Sequence, residues 1–118
     1  MKLLICSQIL CLIKATTVLH IGGLFSYFND EGVIDISQLE HASVFLQAVD
    51  EINKNPAILP NHELRVVMGN CATSLDVAFS AHQMFQMSSF VGAVSALDNT
   101  KGGYATKLFE EADSMIVN

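Results

Sequence analysis

The stretch Ala48–Val67, AVDEINKNPAILPNHELRVV, constrains the fold more than any other part of the chain. An amphipathic pattern runs into Asn55-Pro56, stays broken through Leu59-Pro60-Asn61, and resumes at once as a short alternating run. Pro56 cannot continue a helix, and the residue before a proline avoids α geometry. A helix that stops hard and returns directly to a strand is half of a βαβ unit.

The flanking segments extend that unit. Thr17–Phe25, TVLHIGGLF, is a continuous apolar run rich in β-branched residues, ended by SYFNDEG, and suits a buried parallel strand. Ser37-Gln38-Leu39-Glu40 reads as a Ser-x-x-Glu capping box. Leu39, Ala42, Phe45, Leu46, Val49 and Ile52 then recur at three- and four-residue spacing, the stripe of a half-buried helix, which Asn53–Pro60 stops. Glu63–Met68 is a second strand. Gly69–Ala72 turns, and Thr73 or Ser74 caps a second helix that runs to about Met87. That helix carries Leu75, Ala78, Phe79, His82 and Phe85 on one face and a second apolar strip of Val77, Ala81 and Met84. Ser89–Val94 is a third strand, Ser95–Gly103 a polar loop, Tyr104–Glu111 a short third helix, and Met115-Ile116-Val117 the start of a fourth strand. The order β-α-β-α-β-α-β with short connections predicts an α/β fold: a three-layer αβα parallel sheet with right-handed crossovers.

A chain of 118 residues accommodates one domain, and 51% hydrophobic against 15% charged residues excludes disorder. The net charge of -6, with no basic stripe, argues against nucleic acid or an anionic membrane as partner. Part of the apolar excess sits in Met1–Ala15, MKLLICSQILCLIKA, which has one early lysine, an apolar run and small residues near its end. That is the shape of a signal peptide, and the run is far short of the roughly 20 residues that a membrane span needs. A cut near Ala15 to Thr17 divides the chain into a signal peptide, residues 1–16, and a domain, residues 17–118. A buried strand or helix start is the other reading of the same run. Cleavage removes Cys6 and Cys11 and leaves Cys71, either as a free thiol or paired with a cysteine on another chain or on further sequence.

The residues offer little to catalysis, and the expectation is no enzyme and no cofactor. Gly22-Gly23 follows a strand but lacks a G-x-G-x-x-G pattern or a Gly-Lys-Ser/Thr, so it reads as a point of close packing. His20, His41, His62 and His82 lie in separate elements without zinc-ligand spacing, so no metal site is expected, and His82 reads as a half-buried helix residue. Cys71 precedes a helix whose dipole would activate a thiolate, but no base stands near it in sequence, and a structural half-cystine or spare thiol is the competing reading. Glu110, Glu111 and Asp113 read as a solvated helix end. The loop Ser95–Thr100, SALDNT, follows the third strand, and in open α/β sheets ligands bind outside the carboxyl ends of strands. Ser95, Asn99 and Thr100 offer hydroxyl and amide groups there, and the helix start offers N–H groups to an anion. A plain polar loop is the alternative.

IGGLFSYFNDEG, ASVFLQAVDEINKNPAILPNHELRV, NCATSLDVAFSAHQM and FVGAVSA together resemble the start of the ligand-binding region of class C G-protein-coupled receptors, the metabotropic glutamate and GABA-B receptors among them. This is the type 1 periplasmic-binding-protein fold, shared with the receptor guanylyl cyclases and the amino-terminal region of ionotropic glutamate receptors. The resemblance runs from about Leu19 to Val117 and implies part of lobe 1 of a two-lobed region that closes on a small ligand such as an amino acid. It implies an extracellular location by way of the secretory pathway, with membrane attachment only through further sequence. It places the ligand-holding loop at Ser95, Ala96, Asn99 and Thr100, although Ala96 and Leu97 stand where glutamate receptors have serines. It implies a disulfide at Cys71 to a cysteine in or before the first helix, but Ser26–Ser43 contains none, which removes a bond worth about 2–4 kcal/mol. It also implies dimerisation through the second and third helices, for which the Val77, Ala81 and Met84 strip is a candidate; core packing accounts for that strip equally well. A receptor guanylyl cyclase or the amino-terminal region of an ionotropic glutamate receptor, an unrelated small soluble α/β protein of flavodoxin-like shape, or a secreted decoy that pairs with a full receptor, are the other functional readings.

Overall fold

A computed structural model describes residues 16–118 of the chain; the signal-peptide expectation falls, but for Thr16, outside them. Four strands, β1 (Thr17–Phe25), β2 (His62–Asn70), β3 (Phe90–Ser95) and β4 (Ile116–Val117), alternate with three helices, α1 (Ile36–Lys54), α2 (Ser74–Phe85) and α3 (Asn99–Glu111). All strand pairs are parallel, in the order β2-β1-β3-β4. The α/β class and the parallel sheet are therefore as expected, and β1 has the expected bounds.

Each helix is set by a local cap, and two caps differ from expectation. α1 starts at Asp35, whose side chain accepts the Gln38 N–H at 3.2 Å; Ser37 and Glu40 lie inside the helix and form no capping box. α2 has the reciprocal box, with Thr73 Oγ1 accepting from Asp76 N at 3.2 Å and Asp76 Oδ2 accepting from Thr73 N at 3.1 Å. α3 is capped by Asp98, so Asn99–Gly103 is its first turn and not a loop. The glycine pair Gly102-Gly103 disguises that turn in sequence, because glycine disfavours helix interiors by about 1 kcal/mol each.

Two clusters lie on opposite faces of the sheet. Phe25, Ala42, Phe45 and Val49 join α1 to one face. Leu24, Val77, Ala81, Met84, Ala93, Ala105 and Phe109 join α2 and α3 to the other. Gly22 and Gly23 sit at the centre of β1 between them. A Cβ on Gly22 would strike the Met84 sulfur, and one on Gly23 would come within 2.8 Å of Met68 and Phe45, so the pair lets both helix layers approach one strand. In β3, Gly92 has φ +146° and follows a bulge that shifts the register against His20 and Ile21; a Cβ there would meet the Met115 carbonyl oxygen at 2.8 Å.

Of the two readings of the second apolar strip of α2, core packing is the one observed. Val77, Ala81 and Met84 are core, each 1% exposed or less, and are closed to a dimer partner. On the other face Leu75 and Phe79 are 78% and 66% exposed, and His82, expected to be half-buried, is exposed. The smaller strip faces the sheet because Gly22 and Gly69 leave room for Met84 and Ser80 only at close helix approach.

Candidate functional site

The chain leaves β1 through α1 to reach β2 on one side, then crosses back through α2 to β3 on the other. The carboxyl ends of β1 and β3 therefore flank the point where strand order reverses, the place where open α/β sheets hold ligands. Three loops meet there: Ser26–Asp35 after β1, Cys71–Thr73 after β2 and Ala96–Asp98 after β3.

Two side chains tie these loops. Gln38, in the first turn of α1, accepts the Ser26 N–H through Oε1 at 3.0 Å and donates through Nε2 to the Ala96 carbonyl at 2.6 Å. Lys101, in the first turn of α3, donates from Nζ to Cys71 O at 3.1 Å, Ala72 O at 3.3 Å and Ser26 Oγ at 3.4 Å. The nearest carboxylate oxygen, from Asp98, is 3.7 Å away. Ser26 thus holds one tie by its backbone and the other by its hydroxyl. Asn70 adds a third contact, pairing its side-chain amide with both the N–H and the carbonyl of Phe28 at 3.0 Å.

The predicted residues divide among three environments. Ser95 ends β3 only 4% exposed, and its Oγ accepts the Leu97 N–H at 3.3 Å. Ala96 reaches the crevice with its carbonyl engaged by Gln38. Asn99 and Thr100 are exposed in the first turn of α3, and Asn99 opens toward a separate hollow of about 290 Å³ with Asp98, Gly102, Thr106 and Asn118. The helix start does not offer a free set of donors to an anion: the Asp98 carboxylate takes the Lys101 N–H at 2.8 Å and the Asp98 carbonyl takes the Gly102 N–H at 2.7 Å. A carboxylate already seated at that positive end opposes a second anion. Cys71 is fully buried, and burial pushes its thiol up to about 11. No sulfur partner stands near it among the described residues.

Sequence reading missed Gln38, Lys101 and Ser26. One signal was present for Lys101: a cation in the first turn of a helix opposes the dipole, so a lysine there needs compensation from elsewhere, and two carbonyls from the β2 loop supply it. Among the described residues no group of three His, Cys, Asp or Glu side chains converges as a metal site would require, and no helix is long and apolar enough to cross a membrane.

A comparison with protein families and one with curated proteins return no match. Among solved structures the chain is similar to a possible leucine/isoleucine/valine-binding protein from Rhodopirellula baltica SH 1, with a TM-score of 0.72 and 14% sequence identity. The match covers 88% of this chain and 27% of that one. At that identity the likeness is one of fold: the chain has the architecture of a periplasmic-binding-protein-like domain over about a quarter of the neighbour's length.

Proposed function

We propose that this chain is the first-lobe part of an extracellular small-ligand-binding region, of the kind that class C G-protein-coupled receptors carry. Its role is recognition and not catalysis, and it enters the secretory pathway by cleavage within residues 15–17. The observation that carries this reading is the crevice at the β1/β3 reversal, where three loops are held together by Gln38 and Lys101. Polar groups fixed at such a point are what a small-molecule site is built from. The fold neighbour, named for leucine, isoleucine and valine binding, supports an α-amino acid or a compound of similar size as the ligand class. The receptor assignment draws on the resemblance at Ile21–Gly32 and Ala42–Val66. Burial of the Cys71 thiol speaks against nucleophilic chemistry at the one cysteine that precedes a helix.

An NMR titration of the full-length chain with each of the common L-amino acids tests the reading. One lobe supplies only part of a two-lobed site, so the expected affinity is weak, on the order of millimolar, with shifts at Ser26 and at Ala96–Thr100. No shift with any amino acid, or shifts spread away from those loops, would reject the ligand class. Expression in a secreting host followed by N-terminal sequencing tests the location: a mature end within residues 16–18 supports it, and retention of Met1 in the cell overturns it.

A further inference from the structure

The last direct rung between β1 and β3 is the bond from the Ala96 N–H to the Leu24 carbonyl, long at 3.4 Å. Leu24 is paired with Ser95, so the parallel ladder would next run from the Ser26 N–H to the Ala96 carbonyl. That rung is open. The Gln38 carboxamide stands in it, accepting from Ser26 N at 3.0 Å and donating to Ala96 O at 2.6 Å. The two backbone groups settle which way the amide is turned, since an N–H only donates and a carbonyl only accepts. The ends of β1 and β3 therefore part by the width of a carboxamide at the point where strand order reverses.

The two ties of the crevice differ in kind. Lys101 spreads its ammonium over two carbonyls and a hydroxyl, and its side chain is 16% exposed. A molecule that displaced it would have to satisfy three acceptors at once. Gln38 answers one donor and one acceptor and is half-buried. The cap of α1 uses the Gln38 backbone N–H and not its side chain, so the carboxamide can rotate into water without loosening the helix start. With Gln38 turned away, Ser26 is still held through its hydroxyl by Lys101. The open rung is thus a place that a small molecule can take over while the loops around it stay seated.

We propose that the Gln38 carboxamide is an internal stand-in for the ligand, and that a compact molecule with a donor beside an acceptor, such as an α-amino acid, displaces it from Ser26 and Ala96. A carboxylate oxygen replaces Oε1 on the Ser26 N–H, and an ammonium replaces Nε2 on the Ala96 carbonyl. Both backbone groups are then paired in either state, and the bonds of the liganded state are charge-assisted. The need to displace Gln38 lowers the apparent affinity by the fraction of molecules in which it has already left. The proposal rests on the crevice being the ligand site, and it adds what the ligand must displace there.

The side-chain amide signals of Gln38, in NMR spectra of the full-length chain, read the exchange without any substitution. The common L-amino acids are added in turn. As one of them saturates the shifts at Ser26 and Ala96–Thr100, the Gln38 Nε2 protons should move to the positions of a solvated glutamine. Gln38→Ala should bind that amino acid about tenfold more tightly than the natural chain. Propionamide, a free copy of the missing group, should shift the Ser26 and Leu97 amides in Gln38→Ala and leave the natural chain unchanged. Gln38 signals that stay put at saturation, or equal or weaker binding by Gln38→Ala, overturn the proposal and leave the crevice standing as the ligand site. If no amino acid shifts either protein, the amino-acid class fails for both readings. Propionamide entering only Gln38→Ala then supports a displaceable Gln38, and its failure to enter overturns that as well.

Discussion

Cys71 lies beneath α2 with Sγ 3.7 Å from the Gly69 carbonyl oxygen, and its proton is held more tightly in the folded chain than in the unfolded one. Below about pH 9 the thiol is neutral in both states, and stability is level. Above that the unfolded chain ionises first, and stability drains away until the folded thiol ionises near about 11. A rise of that size corresponds to about 2–3 kcal/mol. Chemical denaturation between pH 7 and 11 should show the decline, and Cys71→Ala should remove its Cys-specific part. Lys101 makes the second residue-scale prediction. Lys101→Met leaves the Cys71 and Ala72 carbonyls without their donor and should cost about 1–2 kcal/mol, with faster hydrogen exchange in the β1 and β2 loops. Neither contact was legible in the sequence, since the partners of Lys101 lie 75 and 30 positions away. The packing role of Gly22-Gly23 was legible, because a glycine pair inside an apolar strand has few other uses.

The elements themselves were read more fully than their edges. Apolar runs, alternation, three-to-four-residue spacing and turn residues located the described helices and strands, but three choices needed tertiary information. The start of α1 shifted from Ser37 to Asp35, where the capping side chain is a carboxylate instead of a hydroxyl. α3 gained a whole turn through Gly102-Gly103. α2 has two apolar strips, and periodicity alone does not say which one meets a sheet; the close approach allowed by Gly22 does. The length of α3 gives a prediction at this scale. Gly103 is exposed in mid-helix, and a Cβ added to it would meet no atom within 4 Å. Gly103→Ala should therefore stabilise the chain by about 0.5–1 kcal/mol, read as a raised midpoint in urea. The same change at Gly92, which has a positive φ and the Met115 carbonyl against it, should do the opposite.

At the scale of the whole molecule, the alternation of elements pointed to the parallel sheet and the helix layers. The strand order β2-β1-β3-β4, and with it the position of the crevice, depends on crossover directions that no local pattern records. β2 is the outer strand on its side, and outer strands invite pairing with other chains. Asn53 blunts this edge: its side-chain amide accepts the Leu64 N–H at 2.8 Å and donates to the Leu64 carbonyl at 2.9 Å, standing in for a neighbouring strand. Asn53→Ala should therefore raise self-association of the folded chain, measured by light scattering over time at fixed concentration, more than it lowers the unfolding midpoint.

Ser26 joins α1 and α3 within a single residue, one tie to its backbone N–H and one to its hydroxyl. An insertion between Phe25 and Ser26 would move both anchor points at once, and neither helix could follow without losing its seat on the sheet. A few residues further on, the loop tip at Asp30–Gly32 is exposed, and its bonds run only to Asn29. Variation in length among natural or engineered forms of this chain should thus collect at residues 30–32, leaving the spacing from Thr17 to Ser26 invariant.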